Sequence, residues 1–122
     1  IDPSGNFLFN SGYGSVATAY GCRAWVNFNG TGTVAINASG NVSSITDNGV
    51  GDYTVNFSTA ISDTNYATLV SHSRDAGGNP PTPVSTQNIS GTSTKTTSAV
   101  RVGAGGNAGA YDPTQVSAAI FR

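Results

Sequence analysis

The residues able to carry covalent or acid–base chemistry are few in this 122-residue chain: one histidine, one cysteine and six aspartates, with no glutamate. His72 lies in Ser71-His72-Ser73 with Asp75 shortly after it, which gathers the residue types of a hydrolytic triad. No Gly-x-Ser-x-Gly elbow accompanies them, and no local spacing makes a dyad of Cys22 and His72. His72 therefore reads as a strand histidine bonded to a backbone group or water; three copies meeting on a three-fold axis would be its one route to a metal. Asp47-Asn48-Gly49-Val50-Gly51-Asp52 resembles the start of a calcium loop but lacks the closing acidic residue, so a hairpin turn is the better reading. Asp2, Asp47, Asp52, Asp63, Asp75 and Asp112 are scattered among turns, where aspartate caps the backbone. No pair of them is spaced to recommend glycoside hydrolysis. Sequons at Asn29, Asn37, Asn41, Asn56 and Asn88 are expected by chance in so Asn- and Ser/Thr-rich a chain. The expectation is a non-enzymatic protein with no cofactor and no metal.

Recognition chemistry is better represented. Gly, Ser, Thr and Asn make up nearly half the residues, and turn-rich stretches carry the isolated rings of Tyr13, Tyr20 and Tyr111. Aromatic faces beside amides and hydroxyls suit carbohydrate or other polar surface groups, through stacking and directed hydrogen bonds. Charged residues are only 9% of the chain and the net charge is −1, with no basic stripe, which argues against nucleic acid as a partner. No apolar run reaches the length of a membrane span. A lone Cys22 excludes an internal disulfide; pairing between chains or a free thiol stay open, and the favoured reading is a small buried hydrophobe. The absence of Met, with Ile1 first, leads us to expect a fragment of a longer protein.

The elements that must position such groups are strands. Only two leucines are present, and apolar residues alternate instead of recurring at helical spacing. Ala24, Val26 and Phe28 fall on one side of a strand, with Trp25 and Asn27 on the other. Residues 33–38 and 51–58 repeat the pattern, the latter setting Tyr53, Val55 and Phe57 against Thr54, Asn56 and Ser58. A weaker strand is expected at 42–46, and residues 60–65 form a polar connection. Residues 66–73 place Tyr66, Thr68, Val70 and His72 opposite Ala67, Leu69 and Ser71. Strands are also expected at 84–90 and 97–103, and a last one at 115–122 is apolar on both faces, as in a central strand or a subunit contact. Residues 74–83 and 103–113 are loops by their Gly and Pro content. Residues 1–21 form an extended arm, broken by Pro3 and repeated glycines, whose Phe7, Leu8 and Phe9 would pack on a neighbouring subunit or on the domain's base. The expected fold is all-β: an antiparallel β-sandwich of seven to eight short strands over residues 22–122.

The run CRAWVNFNGTGTVAI at 22–36, then NVSSITDNGVGDYTVNFSTA at 41–60 and Asn65-Tyr66-Ala67, resembles the C-terminal region of bacteriophage tail-fibre proteins. Ile1-Asp2-Pro3-Ser4-Gly5-Asn6-Phe7 is similar to the Asp-x-Ser-Gly-Asn repeats of fibre shafts just before such a tip. These matches all lie within residues 1–67, a little over half the chain. The resemblance implies a homotrimeric all-β tip at the distal end of a virion's fibre, which binds a receptor on the bacterial surface and brings no catalytic residues. The shared Trp25, Val26, Phe28, Tyr53, Val55 and Phe57 read as core. Receptor contacts are accordingly expected in the two loops, at Arg74, Asp75, Asn79, Asn107, Tyr111 and Asp112. A glycan-cleaving tail spike and a purely structural trimerising tip are the competing readings.

Overall fold

A computed structural model describes residues 1–10, 12–74, 84–86, 95–106 and 109–122. The alternating stretches form strands, and no helix occurs among the described residues. In chain order they are β1 (Leu8–Phe9), β2 (Ala17–Thr18), β3 (Cys22–Asn29), β4 (Ala35–Gly40), β5 (Val42–Gly49), β6 (Asp52–Phe57), β7 (Ala67–His72), β8 (Val84–Thr86), β9 (Ala99–Gly106), β10 (Gly109–Ala110) and β11 (Val116–Phe121). All pairings are antiparallel. One sheet runs β4-β3-β11-β7; a second runs β10-β9-β6-β5, with β8 also on β9; among the described residues β1 and β2 pair only with each other.

Period-two patterning decides what lies between the two larger sheets. Ala24, Val26 and Phe28 of β3 and Val116, Ala118 and Ile120 of β11 are buried, as are Tyr53, Val55 and Phe57 of β6 and Val100, Val102 and Ala104 of β9. These form one cluster, so the inner faces of the two sheets share a core in a sandwich-like arrangement. Phe28 meets Tyr53 across it edge-to-face, with ring centroids 5.1 Å apart, and Phe57 meets Tyr66 at 5.9 Å. Such aromatic pairs contribute about 0.5–1.5 kcal/mol beyond the area they bury. The Tyr66 hydroxyl donates to backbone carbonyls at Thr96 and Ala99, and Lys95 lies over its ring.

The sharpest constraint is at one end of the core. Tyr53 is fully buried, and its hydroxyl donates to Asp112 Oδ1 at 2.7 Å. The same carboxylate oxygen accepts the Gly51 N–H at 2.7 Å, while Gly30 N–H donates to the Pro113 carbonyl at 2.9 Å. Asp112 thereby ties the β5–β6 turn, the end of β3 and the entry to β11. Gly51 has φ +65°, and a Cβ there would collide with the Ala104 carbonyl, so only glycine closes this turn. Burial, then the Asp112 hydrogen bond, drives the Tyr53 phenol well above its ordinary range.

Several expectations need correction. Trp25 is no core residue: it is 44% exposed on the outer face of β3, the side its parity with Asn27 indicates. Cys22 is exposed instead of buried. Residues 103–113 are not one loop, because β9 continues to Gly106 and turns back into β10. Glycine there relieves crowding between paired backbones, which the sequence alone makes look like a break. Strand β5 runs to Gly49, and the turn falls at Val50-Gly51 with Asn48 still in the strand. β4 has no buried face, since Asn37 is an extra residue between the Asn27–Ala38 and Phe28–Ile36 pairs and breaks the alternation. Ile61, in the polar connection, is buried. The arm carries the small β1–β2 hairpin. Of the two readings of the last strand, β11 is central between β3 and β7.

Tyr53→Phe keeps the ring but strips Asp112 of its hydroxyl donor. Denaturant unfolding should show a loss of about 1–3 kcal/mol, the cost of leaving a partly buried polar group short of a partner. A loss below about 0.5 kcal/mol would mean the clamp carries no weight.

Candidate functional site

Of the six contacts expected in loops, Asp75, Asn79 and Asn107 lie outside the described residues. Arg74 is exposed just beyond the end of β7. Asp112 is engaged in the clamp on Tyr53 and Gly51. Tyr111 is half-buried; its hydroxyl donates to the Ser73 carbonyl at 3.1 Å and lies 3.1 Å from His72 Nδ1, with the two rings edge-to-face at 5.3 Å. His72 Nδ1 also lies 2.9 Å from the Ser73 carbonyl, the backbone engagement expected of it. The polar atoms of Tyr111 and Asp112 thus fasten the domain end together. Among the described residues no three His, Cys or Asp side chains gather into a metal-binding group.

The outer faces of the two large sheets differ in chemistry. On the five-stranded sheet the polar side chains bond to one another. Asn56 Nδ2 donates to Ser44 Oγ at 3.1 Å and Thr46 Oγ1 at 3.0 Å, and Asn48 Nδ2 to Thr54 Oγ1 at 2.9 Å. Arg101 forms a two-point ion pair with Asp52, which is largely buried. The guanidinium holds the Asp52 carboxyl below its usual range against the opposing effect of burial. On this face the described side chains of β5, β6 and β9 bond among themselves.

On the four-stranded sheet the outer face carries a groove. Register places Gly40, Trp25, Ala119 and Leu69 in one row across β4, β3, β11 and β7. Trp25 and Leu69 (57% exposed) stand on either side of Ala119, whose methyl leaves the floor low. Two strand spacings of about 4.8 Å separate the flanking backbones, a gap of roughly 10 Å. A Cβ at Gly40 would come within 2.5 Å of Trp25 Nε1, so the indole leans over Gly40, away from Ala119, and the groove stays open. Beside this apolar row runs a polar one, Asn27, Ser117 and Ser71 in register. Asn37 Nδ2 donates to Asn27 Oδ1 at 2.9 Å, and Asn27 Nδ2 donates to Ser117 Oγ at 3.0 Å. These bonds fix the orientation of both amides in advance of any ligand. The groove measures about 530 Å³ and, among the described residues, no ionisable side chain lines it.

Sequence reasoning put Trp25 with Asn27, and Leu69 with Ser71, on shared faces, yet missed the site. The alternation was the available signal; the adjacency of β3, β11 and β7, which lie far apart in the chain, was not. No protein-family model matches the chain, and no curated protein or solved structure matches it significantly.

Gly40→Ala should push the indole off its rest and shift the emission of the single tryptophan to longer wavelength, with stability changed by about 1 kcal/mol or less. Unchanged emission would show that the ring does not depend on Gly40. Asp52, whose carboxyl the Arg101 guanidinium holds below the ordinary carboxylate range, stabilises the fold above that range, and this contribution is lost as pH falls through the lowered value. Thermal midpoints recorded from neutral to acid pH should fall below about pH 4, and Asp52→Asn should flatten part of that fall.

Proposed function

We propose that this chain is the receptor-binding tip of a bacteriophage tail fibre: a non-catalytic, homotrimeric adhesin at the distal end of the virion that attaches it to a glycan or protein on the bacterial surface. The observation that carries the reading is an antiparallel frame exposing an outer-face groove with no charged residue in its described lining, where a half-exposed tryptophan stands beside pre-oriented amides and hydroxyls. Binding sites combine an apolar wall with a few fixed polar groups in this way, and such a face requires no chemistry of bond cleavage. The resemblance of residues 22–67 to tail-fibre C-termini supports the same conclusion independently of the geometry.

The arm supports assembly. Its β1–β2 hairpin pairs two residues with two, far below what is stable alone in water. Phe7, Leu8, Phe9 and Val16 are nevertheless 63%, 40%, 56% and 54% exposed. A neighbouring subunit would cover them and add apolar burial at about 25 cal/mol per Å², which a chain with two leucines needs.

Purified chain should compete with phage for adsorption to host cells in a dose-dependent manner, and light scattering should give about three times the 12.3 kDa chain mass. Failure to compete at any concentration would overturn the receptor-binding assignment, and a stable monomer would remove the trimer. Phe7→Ser with Phe9→Ser should move the mass toward the monomer while far-UV circular dichroism keeps its β signature.

A further inference from the structure

We propose that the groove between Trp25 and Leu69 on the outer face of the four-stranded sheet is a binding site for a neutral saccharide. The inference rests on the receptor-binding reading and deepens it, moving recognition from the loops to a sheet face.

Charge selects the ligand class first. None of the groove residues Trp25, Asn27, Leu69, Ser71, Ser117 and Ala119 ionises, so nothing there compensates a phosphate, carboxylate or ammonium brought out of water. Shape and polarity then narrow it. A pyranose ring has an apolar C–H face and a rim of hydroxyls, and the site offers the same division. The half-exposed indole and the Leu69 side chain present apolar surface on either side of Ala119, and the Asn27–Ser117–Ser71 row runs parallel to them.

The polar row is set to answer hydroxyls in both senses. Ser117 Oγ accepts from Asn27 and keeps its own proton to give, whereas Asn37 donates to Asn27 and keeps its carbonyl oxygen to accept. The groove volume of about 530 Å³ falls within the roughly 300–1,000 Å³ usual for small-ligand sites.

A second copy of the chain fits the same face poorly. Trp25, Leu69 and Ala119, with Phe121 and Ala67 in the next register row, are five apolar side chains. A stable protein interface takes about 800 Å² and some 20–30 residues from each partner. Extension of the sheet edge is also discouraged, because β4 carries a bulge at Asn37.

Trp25 is the only tryptophan, so its fluorescence reads the groove directly. The full chain is titrated with neutral gluco- and galacto-oligosaccharides and, in parallel, with polygalacturonate of comparable length. The expected result is a saturable blue shift with at least one neutral series at concentrations near 1 mM, about what weak stacking plus a few hydrogen bonds supplies, and none with the polyanion. Leu69→Ala should weaken the neutral ligand about tenfold, as should Asn27→Ala, while Trp25→Phe should retain part of the affinity when followed by calorimetry. Emission unmoved by either neutral series, or moved equally by the polyanion, overturns the proposal. A blue shift produced by raising protein concentration alone gives the groove to a second copy and overturns it too. Competition for phage adsorption that persists in Trp25→Ala would sink this site and leave the adhesin reading standing. Saccharide binding without any competition would do the reverse.

Discussion

Everything in this fold hangs from the ring of Tyr53. It is the largest fully buried side chain, it meets Phe28 of the opposite sheet edge-to-face, and its hydroxyl is held by Asp112 in the segment leading into the last strand. A chain with two leucines and no methionine has few ways to fill the space between two sheets. Aromatic rings supply much area per residue, but a buried phenol must find an acceptor. Asp112 is that acceptor, and by taking the Gly51 N–H as well it also fixes the β5–β6 turn. Packing, hydrogen bonding and chain topology are therefore settled at one point, far from the outer faces.

In the proposed function, that separation is what leaves a face free for recognition. With the core secured inside, the outer surface of the five-stranded sheet satisfies its own amides, hydroxyls and the Asp52–Arg101 pair. The four-stranded sheet does otherwise: it leaves a tryptophan and a leucine standing over an alanine, beside amides oriented by their neighbours. The edge strands β4 and β5 both carry extra residues, at Asn37 and at Ser43 and Asn48, which blunt edge-to-edge pairing. A surface nearly without charge thus avoids nonspecific sheet extension while keeping one amphiphilic face. Rigid sheet backbone under that face means little ordering cost on binding.

Much of the frame was legible in the sequence, because side-chain alternation is a local property. Ala24, Val26 and Phe28 and Tyr53, Val55 and Phe57 point inward as their spacing dictates, and so do Val100 and Val102. What failed was the meaning of particular residues. Trp25 looks like core by its bulk, and only its parity with Asn27 says otherwise. Gly103, Gly105 and Gly106 look like a loop, yet they belong to a strand whose partner backbones come close. Asp112 looks like a loop acid available to a ligand, and its engagement with Tyr53 spans 59 positions that no local pattern connects. The groove stayed hidden for the same reason: Trp25, Leu69 and Ala119 meet only through strand order.

The central proposal is that a preformed sheet face, not the loops, meets the bacterial surface. Amide and side-chain NMR shifts recorded on the isotopically labelled chain during titration with purified host-surface polysaccharide test it most directly. The account predicts perturbations concentrated at Trp25, Asn27, Leu69, Ser71, Ser117 and Ala119, with Tyr53 and Asp112 unmoved. Perturbations confined to Arg74 and its neighbours in the chain, or to Ser44, Thr54 and Asn56 on the opposite face, would contradict it.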